Sequence, residues 1–83
     1  MTDARVLPSQ VRAARAFLGW SIPELSAASD VSVRTIKYFE SEQKDPAVKD
    51  ATLAKLIEAL LDAGIEFIGT PEDAPGIRLR ARP

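Results

Sequence analysis

Apolar residues recur every three or four positions through most of the chain and every second position near its end, so the pattern predicts helices followed by a hairpin. A first helix opens at Pro8-Ser9 and runs to about Leu18, with Val11, Ala14, Phe17 and Leu18 inward and Gly19 as its stop. A second, over about residues 22–29, turns Leu25 and Ala28 inward and Glu24 and Ser26 outward, and Ser21 precedes it as a start signal. The period breaks at Ser29-Asp30-Val31 and restarts in a third helix over about residues 33–41, opened by Ser32, with Ile36 and Phe39 facing the core. A polar loop follows. Asp50 then caps a long helix to about Ala63, with Leu53, Leu56, Ile57, Leu60 and Leu61 inward and Gly64 at its stop. Ile65-Glu66-Phe67-Ile68 and Ile77-Arg78-Leu79-Arg80 alternate roughly in twos around a loop rich in Gly, Pro and acids, which predicts a β-hairpin over residues 65–81.

The expected fold class is mostly α: one domain over residues 1–83, with a helical core over 9–63, a C-terminal hairpin, and a loose leader before Pro8. Two short helices joined by a tight turn make a helix-turn-helix. At about 100° per residue, Val33, Arg34, Lys37, Tyr38 and Ser41 share the outer face of the third helix. Those residue types suit DNA. Arg34 can fork onto guanine O6 and N7, Lys37 can meet guanine or phosphate, Val33 can touch a thymine methyl, and Tyr38 can donate to phosphate. Ser21 and Ser32, at the two helix starts, add phosphate donors, and Lys44 in the loop can track the backbone, with Lys49 as a further candidate. The competing account of the same face is an idle, solvated helix surface. Arg12 either reaches a phosphate or is solvated. Arg78, Arg80 and Arg82 form either a basic tail within reach of DNA or a solvated strand face. Trp20 is expected to lie as a lid on the core and not to stack on bases.

Composition narrows the classes. Eleven Lys and Arg against twelve Asp and Glu leave a net charge of −1, whereas nucleic-acid binders tend to be basic overall or on one face, so DNA binding here needs a local basic face. Without Cys or His the chain lacks a disulfide framework, a thiolate metal site and the commonest general base, so neither an enzyme nor a cofactor is expected. No apolar run is long enough to span a membrane and no signal peptide is apparent, which makes a cytoplasmic location the default.

The run from Arg15 to Glu40, through Gly19, Ser21, Leu25, Ala28, Val31-Ser32 and Thr35-Ile36, resembles the repressor-type helix-turn-helix of the Xre/Cro/CI transcriptional regulators. The chain from Gln10 to Arg80 further resembles small stand-alone members of that family. The resemblance implies a four-helix repressor-like fold, sequence-specific binding to an operator in double-stranded DNA with residues 33–41 in the major groove, and an Arg15–Glu40 bridge clamping the first helix onto the third. Two positions depart from the pattern: Ile22 stands where the family usually has a Gln that anchors phosphate and base contacts, and Asp30 where the turn usually has Gly. Ile22 and the acidic balance favour an alternative, a helix-turn-helix module that has lost DNA and binds a protein, as an anti-activator or adaptor does. A homodimer is expected in the DNA reading. The hairpin is its expected interface, because Ile65, Phe67, Ile77 and Leu79 make an apolar face beside unpaired edges, and two copies can pair edge to edge into four strands; the competing reading is a hairpin folded onto its own helices in a monomer.

Overall fold

The structure, a computed structural model, describes residues 6–41, 50–70 and 72–80. Within them the chain forms α1 (Pro8–Leu18), α2 (Ile22–Ser29), α3 (Val33–Glu40), α4 (Asp50–Asp62), β1 (Ile65–Thr70) and β2 (Asp73–Leu79). Each helix end has a local cause. The Ser21 and Ser32 hydroxyls accept the N–H groups of Glu24 and Thr35, three residues on, and so satisfy donors that α2 and α3 leave open. Pro23 sits in the first turn of α2, where a missing N–H costs nothing. Gly19 ends α1 with φ 74°, and its N–H bonds the Ala16 carbonyl. Asp50 is already helical and favours α4 from inside its first turn through the helix dipole, in place of the capping role expected of it. No helix among the described residues is long and apolar enough to cross a membrane.

Asp30 ends α2 in the left-handed region, φ 63° and ψ 30°, and its N–H bonds the Ser26 carbonyl. This turn is short because Ser29 is buried and serves both sides of it: its hydroxyl donates to the Leu25 carbonyl at 2.7 Å and accepts the Val31 N–H at 3.2 Å. A left-handed backbone is strained for a residue with a Cβ. Asp30→Gly is therefore expected to raise stability by about 0.5–1 kcal/mol, and Asp30→Val to lower it, in paired denaturant titrations.

The core joins all the elements except β2: Val11 and Ala14 from α1, Leu25 from α2, Ile36 and Phe39 from α3, Leu53, Leu56, Ile57, Ala59 and Leu60 from α4, Val31 from the turn and Ile65 from β1. Val6, Leu18, Trp20, Ile22, Phe67 and Ile77 pack against it, half-buried, so Trp20 does lie on the core. Three expected inward residues face out. Phe17 is 61% exposed, because the buried arc of α1 centres between Val11 and Ala14 and takes in Gln10 on its flank. Ala28 is exposed, because α2 is rotated to bury Ser29, and it lines a shallow groove with Leu18, Trp20, Ala59, Asp62 and Ala63. Leu61 is 48% exposed, because the buried arc of α4 is shifted toward Ala59.

β1 and β2 pair antiparallel, with Ile65 opposite Leu79, Glu66 opposite Arg78, Phe67 opposite Ile77 and Ile68 opposite Gly76. A register shift then brings Thr70 opposite Asp73. The bulge lies in β2, where Ala74 and Pro75 face the single residue Gly69. Gly69 has φ 77°, and a Cβ there would collide with the Ala74 backbone carbonyl, so only glycine fits.

Candidate nucleic-acid interface

Burial divides α3 cleanly. Ile36, Phe39 and Glu40 are buried, Val33 and Thr35 are half-buried, and Arg34, Lys37, Tyr38 and Ser41 are exposed. The five residues expected on one outer face thus occupy one side of the helix, with Val33 at its margin. Neither Arg34 nor Lys37 forms an ion pair with another described residue. Lys44 and Lys49 lie outside the described residues, as does Arg82.

The C-terminal end of α3 is held by two arginines of α1. Arg15 meets Glu40 fork to fork, Nε to Oε2 and Nη2 to Oε1, both at 2.9 Å, while its Nη1 donates to the Trp20 carbonyl at 2.9 Å. Glu40 is only 6% exposed and the Arg15 side chain 18%, so this charge pair is mostly desolvated. The hydrogen bonds that Arg15 donates to Glu40 raise its guanidinium above its already high ordinary pKa against the opposing effect of burial, and the group stays charged. Arg12, for which a phosphate or plain solvent was expected, has a third role. Its Nη1 donates to the Glu40 carbonyl at 2.6 Å. Together with Ser41, whose N–H bonds the Lys37 carbonyl and whose hydroxyl bonds the Tyr38 carbonyl, it satisfies acceptors that the end of α3 exposes.

The serines are engaged at their caps. Ser32 Oγ accepts the Thr35 N–H and donates to Thr35 Oγ1 at 2.9 Å, which uses its proton inside the chain. Ser21 belongs to a capping box in which the Glu24 carboxylate takes the Ser21 N–H at 2.6 Å. That carboxylate sits where a phosphate would approach the start of α2, so this end is less hospitable to an anion than the serine alone suggests. Ile22 packs against the core, so its departure from a polar residue has a structural use.

On the hairpin, Glu66 bridges Arg78 at 2.6 Å and Arg80 at 3.6 Å, so two of the three tail arginines are partly neutralised within their own sheet. The apolar residues expected at a dimer interface need correction. Ile65 is wholly buried in the chain's own core, and Phe67 and Ile77 pack on it, because α1 and α4 supply the apolar cover that an isolated ribbon lacks. Leu79 alone of the four is exposed, at 44%.

Gln10 is the residue that pattern reading missed. It is 6% exposed: its Oε1 accepts the Leu7 N–H at 2.8 Å, and its Nε2 donates to the Gly76 carbonyl at 2.8 Å and weakly to that of Ile68 at 3.4 Å. The available signal was a Gln three residues after the helix entry, the spacing of a capping residue. Gln10→Leu keeps the volume but leaves Leu7 N–H without this partner and the hairpin unpinned. A loss of about 1–3 kcal/mol is expected in thermal melts, with faster amide exchange confined to β1 and β2.

Comparison with protein-family models, with curated proteins and with solved structures finds no match to this chain.

Proposed function

We propose that the protein binds double-stranded DNA through a helix-turn-helix formed by α2, the Asp30 turn and α3, with α3 lying in the major groove, as a transcriptional regulator of repressor type. One observation carries the reading: Arg34 and Lys37 stand exposed, without ion-pair partners among the described residues, on the outer side of a helix whose C-terminal end is held by Arg12 and Arg15. Side chains that read bases have to be held in place, and a two-turn helix is not stable alone. The α1 clamp supplies that rigidity. Val33 and Tyr38 add a methyl contact and a hydroxyl beside the two cations.

The test is binding of the purified protein to duplex DNA from its own upstream region, followed by fluorescence anisotropy across a salt series. The expected result is a defined complex whose affinity falls with salt as phosphate-bound counterions are released. A second reading, a protein-binding module, draws on the net charge of −1 and on the exposed Phe17. It predicts no salt-dependent binding to any duplex.

A further inference from the structure

We propose that β1 is a dimerisation edge, pairing antiparallel with β1 of a second copy into a four-stranded sheet whose two-fold axis passes between the two Phe67 residues. The argument starts from hydrogen-bond parity. The Arg80 N–H donates to the Gly64 carbonyl at 2.7 Å, so in this register positions 64/80, 66/78 and 68/76 are the pairs that exchange bonds across the hairpin. The backbone groups of Ile65 and Phe67 therefore point away from β2, to the open side of β1. No other described residue hydrogen-bonds to them.

The two edges of the hairpin are not alike. β2 carries Pro75, which has no N–H to give, the bulge at Ala74-Pro75, and Arg78 flanked by Arg80, all of which discourage edge pairing. β1 has no proline and no Lys or Arg, and its single charge, Glu66, is bridged by arginines of its own hairpin. An edge so lacking in protection is a template for another strand, and a second copy brings the same edge with the same parity.

Parity and charge then choose the register. Outward-pointing residues must meet outward-pointing ones, and the axes that set Phe67 opposite Ile65 or opposite itself are those at Glu66 and at Phe67. An axis at Glu66 sets the two Glu66 carboxylates directly opposite each other, which is unfavourable. With the axis at Phe67, Glu66 lies opposite Ile68 of the second copy, and Ile68, exposed on the solvent face of the sheet, gains a cross-strand neighbour. Two-fold symmetry normal to the sheet places both helical layers on the same face.

The experiment is sedimentation equilibrium of the full chain without DNA, so that it stands apart from the DNA reading, combined with amide exchange at low and high protein concentration. The parent protein is expected to dimerise at micromolar concentration, with the Ile65 and Phe67 amides gaining protection as the dimer forms. Ile68→Glu, which places a second carboxylate opposite Glu66 twice per interface, is expected to raise the dimer Kd about tenfold, and Ile68→Lys to leave it unchanged or lower. Circular dichroism of both variants checks that the monomer fold is kept, and the parent measurements stand even if one variant misfolds. A parent protein that stays monomeric, a dimer whose Ile65 and Phe67 amides exchange freely, or folded Glu and Lys variants that weaken the dimer equally would overturn the proposal.

Discussion

Arg15→Ala is expected to lower stability by about 3–5 kcal/mol, a large share of the roughly 4–12 kcal/mol that a chain of this length holds. The substitution removes both prongs of the fork and leaves the Glu40 carboxylate, 6% exposed, without its countercharge, and the Trp20 carbonyl without its donor. Glu40→Ala is expected to cost less, about 1–3 kcal/mol, because Arg15 is three times as exposed, can turn toward water and keeps the Trp20 carbonyl. The asymmetry is the informative part. A pair valued for its Coulombic attraction alone would lose the same amount from either side, whereas a desolvated pair penalises the stranding of its more buried member. Replacing both, as Arg15→Met with Glu40→Leu, is expected to recover part of the loss, since neither charge is then left behind. Thermal melts followed by circular dichroism measure all four proteins, at about 4–8 °C per kcal/mol for a domain of this size. Single variants that melt with the parent protein would show that the clamp adds nothing.

The second large effect falls on binding. If α3 reads DNA, Arg34→Ala is expected to weaken the complex by about 1–3 kcal/mol and to relax preference at one base pair, because a bidentate contact to a guanine edge is lost. Lys37→Ala on a phosphate is expected instead to weaken all duplexes evenly and to reduce the slope of log K against log salt by about one. Both side chains are exposed and lack ion-pair partners among the described residues, so neither change should move the melting temperature appreciably. Anisotropy titrations of the double variant decide the matter: affinity and salt slope equal to those of the parent protein would remove α3 as the reading element.

Where the chain turns was legible, because the residues that end its helices act locally. Ser21, Ser32, Gly19 and Asp30 each bond or bend within a few residues of themselves, and such signals survive without knowledge of the tertiary structure. Which way each helix faces was less legible. Ser29 and Gln10 are polar and yet buried, because each finds its partners in the fold, and their burial rotates α2 and widens the arc of α1 at the expense of Ala28 and Phe17. Ala59 takes a core place on α4, and Leu61 is left outside. For the candidate interface, the outer face of α3 follows from periodicity, whereas the partners of Arg12, Arg78 and Arg80 do not. A backbone carbonyl 28 residues away and a carboxylate across the hairpin carry no local signature.

Gln10 and Arg15 belong to the same helix, and that has a mechanical consequence. The first turn of α1 grips the hairpin and its second half grips α3, so one helix of eleven residues, about 16 Å long, is fastened in both halves. For two copies joined through their hairpins, the separation and relative rotation of the two α3 helices are then set by a strut and not by a tether. Such a protein behaves as a caliper with a fixed gap. If α3 reads DNA, operator half-sites moved apart by a base pair also turn about the duplex axis, and a pair of α3 helices held in this way is expected to tolerate that change poorly.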